Sequence, residues 1–189
     1  MIGVRRARPA DAAAIGAVHV AAWRSAYAGI LPSAYLAGLS ARRQAAFYEW
    51  CIRQPGGFVF VAGASGVDVP AGSPPRIVGF ATAGEARWDF GNACPAQAEV
   101  ATLYVLDDWR DRGLGRRLLR AAAGALVEGG YRSVFLWVLR DNPSRWFYER
   151  LGGKPVAEAT IRVGGQPVVQ TAFVWDPIER LLEQSARAG

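Results

Sequence analysis

The chain has 189 residues, 51% hydrophobic and 20% charged, with a formal charge of +6. That length suits one domain with a sizeable core, and no apolar run approaches the ~20 residues of a membrane span. One histidine (His19) and two separated cysteines (Cys51 and Cys94) exclude a structural zinc site, and nothing local supports a Ser-His-Asp or Cys-His mechanism.

The opening M-I-G-V-R-R-A-R-P lacks the apolar core of a signal peptide, so a cytosolic location with free thiols is expected. Residues 2–7 read as a first strand. Pro9 and Asp11 then begin a helix whose apolar face is Ile15, Val18, Ala22 and Trp23. Gly29 and Pro32 break that pattern. Ser33 is predicted to cap a short helix, and Ser40 a longer one reaching about Arg53. Residues 58–62 read as a short strand, 63–75 as a glycine- and proline-rich loop, and 77–83 as the next strand. Residues 84–98 read as irregular, with Trp88, Phe90 and Pro95, and border a candidate binding site.

Residues 100–106 are dense in β-branched, aromatic and aliphatic side chains and predict a buried strand. A tight turn, Arg110-Asp111-Arg112-Gly113-Leu114-Gly115, follows. Leu114, Leu118, Ala122, Ala125 and Leu126 then recur at helical spacing, and Gly129-Gly130 ends that helix. Residues 133–139 form a near-continuous apolar strand, as burial on both faces requires. The two strands and their helix make a βαβ unit, with parallel strands and a right-handed crossover. Asn142 as cap and Pro143 at the first helical position open another helix, which Gly152-Gly153 closes. Residues 156–163 and 167–175 form a hairpin around Gly164-Gly165. Asp176-Pro177 leads into a last helix. A single domain is expected over residues 1–178, with 179–189 as a helical tail.

A strand feeding a helix through such a turn aims free backbone N–H groups, and the positive end of the helix dipole, at one spot. That spot suits an anion such as phosphate. Glycine at 113 and 115 lets the backbone approach closely. The third position of a dinucleotide fingerprint is Leu118, and no G-K-[ST] follows, so neither of those nucleotide motifs is present. Nearly all the positive charge is arginine, Lys154 being the sole lysine, and arginine's planar fork also suits phosphate.

Strand, R-x-x-G-x-G, helix, strand, and then N-P-S-R-W-F-Y-E-R-L-G-G from Asn142 to Gly153 resembles the GCN5-related N-acetyltransferases. Leu103-Tyr104-Val105 and Arg116-Arg117-Leu118-Leu119 match as well. The resemblance implies an α/β fold with a central mixed sheet, in which a parallel strand pair splays apart between flanking helices. It implies acetyl-CoA as acetyl donor, an amine as acceptor and no metal. The pantetheine arm would lie along Leu103, Tyr104 and Val105, bonded to the backbone of the first and last. The amides of Arg110, Asp111, Arg112, Gly113, Leu114, Gly115 and Arg116 would hold the pyrophosphate. Asn142 would contact the pantetheine, and Tyr148 would sit near the thioester sulfur. Trp23 and Tyr27 fall in the segment where this family sets acceptor specificity. Two departures stand out: the Asn142–Tyr148 separation is one residue shorter than usual, and Gly153 replaces an aromatic.

Transfer to an amine needs a base, an acid for the departing thiolate and a donor for the oxyanion. Glu99 is read as the base, Tyr148 as the acid and the backbone N–H near Leu103 as the oxyanion donor. Other roles stay open for the same residues: Asn142 as a helix cap, Tyr148 as a core aromatic, Glu99 as a polar strand end, and His19 as a helix-face residue or an alternative base. A small-molecule or peptide amine is the expected partner, with Glu85 and Asp89 as candidate acidic walls. The chain carries no nucleic-acid motif or lysine-rich arm, and no membrane partner is expected. Two rival readings are a basic nucleic-acid-binding module and a CoA-binding sensor without catalysis. Oligomeric state is open, dimers being common in the family.

Overall fold

The computed structural model describes residues 2–65, 75–87 and 95–186. Along the chain run β1 (Ile2–Arg6), α1 (Ala12–Ala26), α2 (Ser33–Ala37), α3 (Ala41–Arg53), β2 (Phe58–Ala64), β3 (Arg76–Glu85) and β4 (Ala98–Val105). Then come α4 (Leu114–Glu128), β5 (Val134–Leu139), α5 (Arg145–Arg150), β6 (Lys154–Val163), β7 (Gln166–Trp175) and α6 (Glu179–Ala186). The strands make one seven-stranded sheet in the order β1-β2-β3-β4-β5-β7-β6. Every neighbouring pair is antiparallel except β4 and β5. The expected mixed α/β sheet with one parallel pair is therefore the observed architecture.

The layers follow from the apolar periodicities. Leu114, Leu118, Leu119, Ala122, Ala123 and Leu126 fall on one stripe of α4 and are buried to 1% exposure or less. They pack on one face of the sheet against Val100, Leu136, Phe173 and Trp175, and Ile178 and Leu181 of the C-terminal segment join that core. On the opposite face, Ile15 and Val18 of α1 and Tyr48 of α3 cover Val59, Val61 and Phe80.

Several expected boundaries shift, each for a local reason. Pro32, with φ −57° and ψ 132°, takes the N-cap position of α2 without a side-chain bond, so Ser33 is the first helical residue and not the cap. Ser40 does cap α3, its side chain accepting from the Arg43 N–H. Asn142 accepts the Ser144 N–H at 2.9 Å, which organises a preceding turn, and α5 proper starts only at Arg145. Cross-strand pairing extends β3 to Glu85 and starts β4 at Ala98, shortening the irregular segment between them. Trp88, Phe90, Asp89 and Cys94 lie outside the described residues. Among the described residues no helix is long and apolar enough to cross a membrane.

Candidate active site

The parallel contact between β4 and β5 is very short: Ala98 pairs with Val134 and Glu99 with Phe135, and no further pair follows. Beyond Glu99 the two strands part. The pairing of β3 with β4 shifts register at this point, Thr82 facing Thr102 and Ala83 facing Val100, so Ala101 is an extra residue on β4. Such a bulge bends and twists its strand, and here it sits where β4 leaves β5.

The bulge also decides where the β4 backbone points. The Leu106 N–H bonds the Val78 carbonyl at 2.9 Å. In an antiparallel ladder, residues two and four positions before it, Tyr104 and Thr102, likewise turn their polar groups toward β3. Leu103 and Val105 then turn theirs away. With β5 gone from that side, the amides of Leu103 and Val105 face an internal cleft. Buried main-chain groups need partners, so this edge is suited to an extended, amide-bearing guest.

The cleft is a cavity of about 480 Å³. Leu103, Tyr104 and Val105 line one wall, and Leu136, Trp137 and Val138 of β5 line the other. One end is closed by Arg110, Asp111, Gly113, Leu114 and Gly115. Gly113 has φ +72° and Asp111 φ +57°, a left-handed conformation that asparagine and aspartate tolerate best after glycine. The first N–H groups of α4 have no intrahelical acceptor and open toward this end. A Cβ on Gly115 would sit 3.4 Å from the Phe147 ring and 4.0 Å from Leu103, within the space the cleft occupies. The backbone edge and the glycine turn together fit an arm with amides that ends in a diphosphate.

The arginines of the turn have separate partners. Arg110 pairs with Asp107 at 2.8 Å, and Asp107 also accepts the Ser25 hydroxyl, tying α1 to the turn. Arg112 lies over the Trp109 ring, 4.8 Å from its centroid. Arg117 donates to the Ile2 carbonyl of β1 at 3.0 Å. Neither Arg112 nor Arg116 is on the cavity wall, although both were expected to hold pyrophosphate through their backbones.

Tyr148 and Asn142 line the same cavity, as does Tyr27 at the C-cap of α1. Burial pushes the Tyr148 phenol well above its usual pKa, helped by the nearby Tyr27. The phenol is therefore protonated at neutral pH and available as a donor. Its ring is fixed by Phe147, Phe173 and Trp175, with centroids at 5.3, 6.1 and 6.5 Å. Trp23 stands behind the wall, edge-on to Tyr27 at 4.9 Å and to Tyr104 at 6.4 Å. Phe147, Trp109 and Trp137 also line the cleft. Nothing in the sequence separated these three from ordinary core aromatics.

Glu99 and His19 are placed differently. Glu99 is 8% exposed, sits where β4 and β5 still touch, and is not on the cavity wall. Both its oxygens accept from Arg87, at 3.1 Å each. His19 shares a 2.7 Å hydrogen bond with the Tyr48 hydroxyl and stacks on Trp23 at 5.2 Å, away from the wall. Burial lowers its pKa to about 4. Glu85 is exposed at the end of β3 and does not reach the cleft wall. Among the described residues, no group of three or more His, Cys, Asp or Glu side chains is placed to hold a metal.

The sequence matches the acetyltransferase (GNAT) family model over residues 20–153. It is 30% identical over 182 residues to YuaI of Bacillus subtilis, an uncharacterised N-acetyltransferase, covering 96% of each chain. A shorter stretch of 83 residues is 40% identical to the mycothiol acetyltransferase of Corynebacterium aurimucosum, covering 43% of this chain and 26% of that one. Among solved structures, the ribosomal-protein-alanine N-acetyltransferase of Brucella melitensis superposes with a TM-score of 0.68 at 20% identity, covering 92% of this chain and 99% of the other. The PaiA N-acetyltransferase of Thermoplasma acidophilum, solved with coenzyme A, gives 0.66 at 19% identity, covering 90% and 98%.

Proposed function

Because the chain belongs to the GNAT acetyltransferase family, we propose that it moves the acetyl group of acetyl-CoA onto a primary amine by direct attack in a ternary complex. One observation carries the assignment of the site: β4 and β5 pair at two positions and then part around a cavity that ends in the glycine turn. Acetyl-CoA supplies an acyl group activated as a thioester. The Leu103 carbonyl and the Val105 main chain bind the arm, and the amides of Arg110, Asp111, Gly113, Leu114 and Gly115 bind the diphosphate at the start of α4. Asn142, whose Oδ1 accepts the Ser144 N–H and whose side chain also donates to the Tyr27 hydroxyl, lines the same cleft.

The protonated phenol of Tyr148 serves as acid for the leaving sulfur, and the Leu103 N–H serves as donor to the oxyanion. Glu99 is assigned as the base that takes the ammonium proton. Its place off the wall requires a water between carboxylate and amine, and the Arg87 pair must loosen for the carboxylate to accept a proton. Tyr27, with Trp23 behind it, forms the acceptor side. The acceptor is a small-molecule or peptide amine.

Isothermal titration with acetyl-CoA tests the first half of this reading, and absence of binding at high micromolar ligand overturns it. Release of free thiol across a panel of primary amines tests the second half. Binding without turnover on any amine favours the sensor over the enzyme.

A further inference from the structure

The two members of the Arg87–Glu99 pair are not equally accessible. Nε and Nη2 of Arg87 donate to the two carboxylate oxygens of Glu99, both at 3.1 Å. The Glu99 side chain is 10% exposed and the Arg87 side chain 56%. A molecule arriving from solvent therefore meets a guanidinium first, with the proposed base behind it.

The sheet face around the pair is apolar and leads into the cleft. Glu99 pairs with Phe135, so their side chains share a face, and Trp137 lies two residues further on that face. Trp137 lines the cleft. Ala172 and Val174 of β7, opposite Trp137 and Phe135, continue the face, and Ala86, beside Arg87 in the chain, packs with them. Within β4, β5 and β7 Glu99 is the only carboxylate. Glu85 pairs with Ala98, so its side chain falls on the opposite face and supplies no acidic wall here.

We propose that the acceptor is a free amino acid. Its carboxylate draws Arg87 off Glu99, while its ammonium, through the bridging water, faces the released carboxylate. This rests on the acetyl-transfer reading and narrows it. A side-by-side ion pair is complementary to a zwitterion laid against it in the opposite order. The guanidinium meets a carboxylate as a two-pronged fork, and both charges of the protein pair regain an opposite partner. A polyamine brings more positive charge to a cationic rim. A peptide N-terminus has a neutral amide where the amino acid has its carboxylate, so it offers nothing to Arg87 in exchange for Glu99. Once the swap is made, the ammonium passes one proton to Glu99 through the water. Its nitrogen then attacks the thioester carbon and the C–S bond breaks. Tyr148 protonates the leaving sulfur and recovers a proton from the new amide nitrogen.

Thiol release from acetyl-CoA tests the proposal, each standard amino acid being assayed beside its primary amide. The amine of the amide is the more easily deprotonated, so intrinsic reactivity favours the amide. The wild-type enzyme is expected to favour the free acid of its best substrate by at least about tenfold in kcat/KM. Arg87→Gln should lose at least about tenfold on that acid and gain on the amide, which reverses the preference. Arg87→Lys keeps the charge without the fork and should fall between the two. Thermal midpoints establish that the variants fold, and the wild-type ratio tests the proposal without them. Equal rates on acid and amide overturn it, as does a preference that survives Arg87→Gln. Acetyl-CoA binding with turnover only of amines that lack a carboxylate overturns this proposal alone. Absence of acetyl-CoA binding overturns the acetyl-transfer reading as well.

Discussion

At the scale of single residues, two side chains carry the proposed proton traffic, and they sit in opposite environments. Tyr148 lines the cleft, and its phenol is held protonated by burial. Tyr148→Phe keeps the ring in its packing against Phe147, Phe173 and Trp175 and removes only the donor. The expected result is a fall in kcat of about 10²-fold or more with acetyl-CoA affinity nearly unchanged, read by steady-state kinetics beside titration calorimetry. Glu99 is off the wall and shared with Arg87. If it takes the proton, Glu99→Gln loses rate most at neutral pH. The deficit shrinks as pH rises toward the acceptor's own pKa, where the amine deprotonates unaided. A deficit constant across pH would make Glu99 a structural partner of Arg87. The Tyr148 position was legible through the family resemblance that N-P-S-R-W-F-Y-E-R carries, despite a separation from Asn142 one residue shorter than usual. The Arg87–Glu99 pair was not, since it forms only once β3 and β4 are in register.

At the scale of elements, glycines report how closely backbones approach. Gly16 lies inside α1, where glycine is intrinsically unfavourable. A Cβ there would collide with the Ala41 carbonyl and lie 2.7 Å from the Ala45 nitrogen, so α3 crosses α1 at that residue. Gly16→Ala should therefore destabilise the fold by about 2 kcal/mol or more despite its better helix propensity, measurable by urea titration. Gly115→Ala makes the contrasting case. Its Cβ meets nothing closer than 3.4 Å, so stability should hold, while the methyl enters the diphosphate end of the cleft. Weaker acetyl-CoA binding with an unchanged unfolding midpoint is the expected split. The strand–turn–helix around Gly115 was legible because its signals are local. The bulge at Ala101 was not. Residues 100–106 read as an unbroken strand, and the extra residue becomes visible only against β3.

At the scale of the whole molecule, the parallel pair and the C-terminal hairpin were legible because apolar periods, paired glycines and the right-handed crossover are local signals, whereas the strand order, with β7 lying between β5 and β6, was not. The aromatic cluster joining α1, α3, β3 and β4 was not legible, because it brings together residues from four separate elements. His19, Trp23, Tyr48, Phe80 and Tyr104 meet there. The cluster has a thermodynamic consequence. Burial lowers the His19 pKa from 6.5 to about 4, so the unfolded chain binds this proton at a higher pH than the folded chain does. The stability linked to His19 is complete above pH 6.5. It is lost as pH falls from there toward 4, by up to about 3 kcal/mol. Asp11, held below its usual range chiefly by its hydrogen bond to Arg5, acts in the same direction at lower pH. Its contribution is present above 3.8 and disappears as the pH drops through its folded value. Acid destabilisation should therefore come in two stages, histidine first. Urea titrations at successive pH values should show the folded chain binding about one proton fewer than the unfolded chain between pH 6.5 and 4. His19→Gln should flatten that window and leave the lower stage intact. If the slope survives the substitution, the proton taken up on unfolding belongs to another group, and the aromatic cluster does not set the protein's acid tolerance.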